Sequence, residues 1–114
     1  MALLAVQFDA HVDGGIVIDV SEMKSATVDA ASGTATVGAG LNQLEAVTAL
    51  GRAGLAAPTG TEGSVGLVGA TLGGGFGLLT RYLGMASDNL LAAEVVVAGD
   101  DVVSFWVAVD GEHL

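Results

Sequence analysis

Between Glu62 and Arg81 the chain carries no charged residue, and seven of the eighteen intervening positions are glycine: Gly63, Gly66, Gly69, Gly73, Gly74, Gly75 and Gly77. Glycine loses more backbone entropy on folding than any other residue. Such a density is sustained where the backbone must turn through positive φ or lie directly against something. Three readings are open. A membrane span is one, because about 18 uncharged residues is the lower limit for crossing a bilayer and Gly69 to Gly73 follows a small-xxx-small spacing. Against it, three consecutive glycines cost roughly 2 to 3 kcal/mol of helix propensity, and no basic cluster flanks the segment. The second reading is structural: the glycines let a helix pack tightly or make irregular turns. The third, adopted here, is a cofactor loop whose bare N–H groups approach a diphosphate or planar ring where side chains would collide.

The spacing does not identify the loop by itself. Gly75 and Gly77 begin a GxGxxG pattern, but Thr80 occupies its last position and no clear strand precedes it, so a Rossmann fingerprint is not supported. A P-loop is excluded as well, since no Gly-Lys-Ser/Thr occurs and the only lysine is Lys24. A phosphate cradle in this chain must be built from backbone.

Chain length admits one domain, residues 1–114, with a core of its own. That core must be aliphatic, because apolar residues make up 52% of the sequence and aromatic ones only 4%. Three basic residues against thirteen acidic ones give a net charge of −10, which argues against nucleic acid and against an anionic membrane surface as partners. The absence of cysteine excludes disulfides, thiolate metal sites and cysteine nucleophiles. The N-terminal MALLAVQFDAH has no basic n-region and too short an apolar run for a signal peptide, so a cytoplasmic location is expected.

The chain opens on an apolar run that reads like the interior of a larger domain. After Gly14-Gly15, the β-branched run Ile16–Val20 predicts a strand buried on both faces. Residues 26–29 and 34–38 predict a hairpin with Gly33 in its loop. A helix follows over 41–53, with Leu41, Leu44, Val47 and Leu50 on one face, Glu45 early, Arg52 late and Gly54 as its stop. Beyond the glycine-rich segment, Val95–Val97 and residues 102–109 predict a second hairpin turning at Gly99-Asp100-Asp101. The expected fold class is α+β, a mixed or antiparallel sheet with a few short helices.

Titratable residues give little chemistry. His11 and His113 lie at opposite ends of the chain without metal-ligand partners and read as surface histidines. Asp100 and Asp101 read as turn residues, and Asp88-Asn89 as a turn-holding pair. Arg81 either faces a ligand phosphate or caps the segment before it. No catalytic residue and no metal site is expected.

The ordered segments GGIVIDVSEMKSATVDAASGTATVGAG and GLAAPTGTEGSVGLVGATLGGGFGLLTRYLGMASDNLLAAEVVVA, separated by a short helix, resemble a known family. They are similar to the second half of the FAD-binding domain of p-cresol-methylhydroxylase-type (PCMH-type), or vanillyl-alcohol-oxidase-type, flavoproteins. Within these the likeness is to berberine-bridge-enzyme-like FAD-linked oxidases, over residues 13–99. The resemblance implies a PCMH-type subdomain that binds FAD without a covalent link. It implies that Gly60, Thr61, Ser64, Val65 and Gly66 face the diphosphate and ring edge. It implies further that Gly69, Gly73, Gly74, Gly75 and Gly77 keep the backbone close to the cofactor, and that Val97 touches its far end. In the complete family the flavin takes a hydride from an alcohol or amine-type carbon and passes electrons to oxygen.

Departures from the family pattern qualify these expectations. The Arg-x-Gly-Gly-His loop whose histidine is bonded to flavin is absent upstream of Asp13, and His11 lies too close to Gly14 to replace it. Where many relatives carry a second attachment in Gly-Thr-Cys, this chain has Glu62. The first FAD-binding subdomain and the substrate domain are missing, so the chain is expected to be part of an oxidoreductase. The alternative is a non-catalytic module that self-associates through exposed apolar surface, as a homo-oligomer or with a complementary subdomain.

Overall fold

A computed structural model of the chain describes residues 13–96, Gly99 and the backbone of the strand at 102–106. The elements run β1 (Ala26–Asp29), β2 (Thr34–Val37), α1 (Gln43–Arg52), α2 (Leu67–Leu72), α3 (Thr80–Leu83), β3 (Ala92–Val96) and β4 (Val102–Trp106). One turn of 3₁₀ helix, Ser87–Asn89, precedes β3. Val97, Asp100, Asp101, His11 and His113 lie outside the described residues.

Both expected hairpins form. β1 pairs antiparallel with β2 in the register Ala26↔Val37 to Asp29↔Thr34. Their loop is held by the Asp29 carboxylate, which accepts from the N–H groups of Ala31 at 3.0 Å and Ser32 at 3.3 Å. Gly33 closes it at φ +69°, a conformation strained for residues with a Cβ. β3 pairs antiparallel with β4 from Ala92↔Trp106 to Val96↔Val102. Among the described residues, two antiparallel pairs and three short helices make the α+β class expected from the sequence.

Residues 16–20 are not the doubly buried strand that their β-branched composition predicts. Ile16 is 89% exposed and Ile18 84% exposed, and the segment joins no ladder among the described residues. Valine and isoleucine favour a pleated surface, but a strand needs a neighbour to satisfy its N–H and C=O groups. The chain finds such a neighbour only further on, where Gly38 N–H donates to Ser25 O at 2.8 Å and Gly40 N–H to Met23 O at 2.9 Å. These bonds lay residues 23–25 along 38–40 so closely that a Cβ at Gly40 would overlap the Val20 carbonyl oxygen.

α1 forms where the sequence places it, with a reciprocal N-terminal cap. The Asn42 side chain accepts from Glu45 N–H at 2.8 Å, and the Glu45 carboxylate accepts from Asn42 N–H at 2.8 Å. The same carboxylate receives the Lys24 ammonium at 2.7 Å, tying residues 20–25 to the helix. Arg52 sits in the last turn, where the helix dipole favours a cation. Gly54 follows at φ +74°.

The buried face of α1 differs from the expected one. Gln43, Ala46 and Leu50 are buried together with Leu41 just before the helix, whereas Leu44 is 61% exposed and Val47 lies at the edge of a cavity. A three-residue repeat drifts around a helix of 3.6 residues per turn, so Leu44 and Val47 leave the face that Leu50 holds. The glycine-rich segment is likewise more regular than its composition suggests, since it folds into α2, α3 and the turns joining them. Among the described residues no helix is long and apolar enough to cross a membrane.

Candidate functional site

The loop from Pro58 to Gly66 is fastened to the start of α1. Gln43 N–H donates to Val65 O at 2.9 Å, Leu44 N–H to Gly63 O at 3.0 Å, and Leu67 N–H to Leu41 O at 3.0 Å. The Gln43 side chain completes the attachment: its Nε2 donates to Glu62 O at 3.0 Å, and its Oε1 accepts from Gly60 N–H. With 3% of its surface exposed, Gln43 is the one buried polar residue among those described. Apolar periodicity passes over it. The available signal is the Asn42-x-x-Glu45 spacing, which starts the helix at Gln43.

The glycines of the site divide by what surrounds them. Gly60, Gly74, Gly75 and Gly77 are pressed against the chain itself. A Cβ at Gly60 would fall 2.7 Å from Gln43 Nε2, and one at Gly74 would fall 2.5 Å from Met85 Cε. At Gly75 a Cβ would overlap that of Ala86, and at Gly77 it would overlap the Thr59 carbonyl oxygen. Gly74 and Gly75 also adopt φ of +107° and +72°, and their carbonyls accept from Ser87 and Ala86 N–H at 2.9 Å. Gly66 and Gly69 are of the other kind. A Cβ at either position would meet no atom within 4 Å, and both residues are exposed. Gly73 ends α2 at φ −88°.

Gly60 and Thr61 line a cavity of about 270 Å³ with Val47, Leu55, Thr59 and Leu78 among its walls. Its interior is aliphatic apart from the threonines, and its volume approaches the lower end of the roughly 300–1,000 Å³ typical of small-molecule sites. Beside it, Ser64 carries a carboxylate: Glu62 Oε1 accepts from Ser64 N–H at 3.1 Å and from its hydroxyl at 2.8 Å. These two bonds hold the Glu62 carboxyl below its ordinary pKa of 4.5. Val65 is half-buried, with its carbonyl spent on Gln43. The structure therefore gathers Gly60 to Gly69 into one continuous stretch over α1 and the start of α2. Gly77 packs against Thr59 and Gly60 at the start of that stretch, whereas Gly74 and Gly75 pack against Met85 and Ala86.

Asp88 and Asn89 hold the turn that closes the segment. The Asp88 carboxylate accepts from Met85 N–H at 2.8 Å, and Asn89 Nδ2 donates to Leu83 O at 2.8 Å and Met85 O at 2.9 Å. Arg81 lies exposed in the last turn of α3. Among the described residues no cluster of histidine, aspartate or glutamate is arranged to hold a metal ion.

Comparison with known proteins agrees with this architecture. Residues 5–105 match the model of the FAD binding domain family. The chain is 46% identical over 92 residues to an uncharacterized FAD-linked oxidoreductase, YvdP, of Bacillus subtilis, covering 81% of this chain and 21% of that protein. It is 44% identical over 91 residues to (R)-6-hydroxynicotine oxidase of Paenarthrobacter nicotinovorans, covering 80% and 20%. The crystal structure of 6-hydroxy-D-nicotine oxidase from Arthrobacter nicotinovorans superposes with a TM-score of 0.84 at 41% identity, over 88% of this chain and 22% of that one. Physcomitrella patens BBE-like 1 superposes with a TM-score of 0.76 at 36% identity, over 79% and 20%. The chain thus spans about a fifth of the length of the relatives it matches. It belongs to the FAD binding domain family, with the PCMH-type fold of FAD-linked oxidoreductases, and FAD is its cofactor.

Proposed function

We propose that the chain supplies part of the flavin site of an FAD-linked oxidoreductase and that the stretch from Gly60 to Gly69 holds FAD without a covalent bond. The observation that carries this reading is the open backbone at Gly66 and Gly69, where glycine serves no internal packing need. A bare surface of this kind lets a ligand approach the main chain as closely as its atoms allow. Among the described residues nothing accepts from the N–H groups of Thr61, Gly66 or Gly69, so these donors are available to an anionic group. The residues therefore fit the diphosphate of FAD, and the aliphatic cavity beside Thr61 suits an uncharged portion of the same molecule.

The roles within the stretch are unequal. Gly60 N–H is engaged by Gln43, so Gly60 shapes the cavity wall rather than donating to the diphosphate. Thr61, Gly66 and Gly69 present exposed donors, the N–H and hydroxyl of Ser64 between them are held by the Glu62 carboxylate, and Val65 anchors the strip to α1. Gly73, Gly74, Gly75 and Gly77 keep the backbone of the following turns close to the cofactor; Val97, expected to touch its far end, lies outside the described residues. When bound, FAD supplies hydride acceptance and re-oxidation, while these residues bind and orient it. Glu62 offers no thiol for a covalent attachment.

A titration of the purified chain with FAD, followed by flavin fluorescence, tests this reading. Saturable binding with all flavin released on acid precipitation is the expected result; no binding at high micromolar FAD would overturn it.

A second reading rests on exposed apolar residues. Ile16, Ile18, Phe76, Leu78 and Tyr82 are each more than 70% exposed. Surface of this kind favours association, with a second copy or with a complementary subdomain. Sedimentation of the chain with and without FAD separates the two readings: a colourless oligomer supports association, and a flavin-loaded species supports the cofactor site.

A further inference from the structure

We infer that Gln43 is the positioning residue of the flavin loop: its buried carboxamide spans Gly60 N–H and Glu62 C=O and thereby fixes the path of Thr61, the residue between them. This rests on the flavin reading above and adds a residue outside the glycine-rich segment to it. Four observations converge on the assignment. The carboxamide is buried with both ends engaged, Nε2 on Glu62 O at 3.0 Å and Oε1 on Gly60 N–H. The backbone of the same residue holds Val65 O at 2.9 Å, so one residue grips the loop at three places. A Cβ at position 60 would fall 2.7 and 2.8 Å from the two polar atoms of the carboxamide, so glycine there makes room for Gln43. Gly60 and Thr61 are also cavity walls, so a shift of the carboxamide moves the wall itself.

The chemistry of the contact is demanding. One loop group is a donor and the other an acceptor, separated by a single residue. A primary amide offers both functions from one rigid plane, whereas ionised glutamate only accepts and methionine offers little to either. Asparagine carries the same amide on a stem shorter by one methylene. Buried groups left without a partner draw in water or move, and the loop is free to do either once the amide is lost.

The test compares the wild-type chain with Gln43→Met, which preserves volume, and with Leu50→Val, a core truncation two turns away on the same helix. Amide hydrogen exchange at residues 60–66 and FAD affinity are measured for all three, at a temperature where circular dichroism shows each folded. For Gln43→Met we expect exchange at 60–66 to accelerate about tenfold and the FAD dissociation constant to rise about tenfold. Leu50→Val should change both by less than about twofold at a comparable loss of melting temperature. Equal behaviour of the two variants, with wild-type binding intact, overturns the role of Gln43 alone. Failure of the wild-type chain to bind FAD overturns the flavin reading and this inference with it. If Gln43→Met does not fold, Gln43→Glu replaces it. That variant keeps an acceptor for Gly60 but sets a buried carboxylate against the Glu62 carbonyl, so its loss should exceed that of Leu50→Val; behaviour matching Leu50→Val overturns the role.

Discussion

Gly77 lies beneath Thr59 with so little clearance that a Cβ on it would overlap the Thr59 carbonyl oxygen and sit 2.8 Å from the carbonyl carbon. The obstacle is main chain, which cannot rotate aside as a side chain can. Gly77→Ala should therefore destabilise the chain by about 1–3 kcal/mol, the range for overpacked interiors. Urea denaturation checks this, and a midpoint equal to wild type would contradict the close approach.

Gly69 should respond with the opposite sign. It lies inside α2 with open space above it, so Gly69→Ala gains about 0.5–1 kcal/mol from helix propensity. The added methyl group stands on the surface proposed to meet flavin. A variant that melts later than wild type yet binds FAD more weakly is the expected combination; tighter or unchanged binding would place the cofactor elsewhere.

The cap of α1 also makes a quantitative prediction. Asn42→Ala removes the acceptor for Glu45 N–H, at a cost of about 1 kcal/mol. The loop from Gly60 to Val65 hangs from the first turn of this helix. Hydrogen exchange should therefore rise in both the helix start and the loop, with β3 and β4 unaffected.

Acid should weaken the fold through the carboxylates that accept hydrogen bonds. The Glu45 carboxyl is held below its ordinary 4.5 chiefly by the hydrogen bond from Lys24, then by Asn42 N–H, and Glu62 is lowered by Ser64. Folded values below unfolded ones mean that the native state prefers the ionised form. The associated stability is complete above about pH 4.5 and is lost as pH falls through the lower folded values. Replacing Glu45 with Gln should flatten the melting temperature against pH in that window; an unchanged slope would mean that its hydrogen bonds to Lys24 and Asn42 contribute nothing.

Glu62 should act on the ligand with the reverse sense. Its carboxylate occupies the N–H and hydroxyl of Ser64 and brings a negative charge to the surface proposed to receive a diphosphate. Glu62→Gln should tighten FAD binding at neutral pH and make it less sensitive to salt. Titration of both proteins at two ionic strengths decides the matter, and weaker binding by the variant would count against the charge.

Much of this is legible in the sequence. The hairpin at 26–37 follows from alternating β-branched residues around Asp29 and Gly33, and α1 from its period and from Gly54. The family resemblance named the cofactor. Two features were hidden for physical reasons. The Ile16–Val20 run satisfies the composition of a strand, but pairing is a property of a neighbour and not of the segment. Gln43 looks like a helix-surface residue because the glutamine side chain is usually solvated; only the path of the loop 17 residues later gives it a buried partner. The glycine-rich segment shows a third limit. Composition reports that side chains are excluded at Gly66 and at Gly77 alike, and it cannot say whether solvent or the chain's own carbonyl lies above them.

The exposed run from Ile16 to Val20 has a further consequence, for how the chain behaves in concentrated solution. Among the described residues this run joins no ladder, and β-branched backbone in that state offers a template to another extended strand. The net charge of −10 opposes such encounters by repulsion between copies. That repulsion reaches about 10 Å at 0.1 M ionic strength and about 3 Å at 1 M, whereas apolar attraction is not screened. Colloidal stability should then be governed by the electrolyte, with light scattering rising as salt is added and falling again on dilution into low-salt buffer.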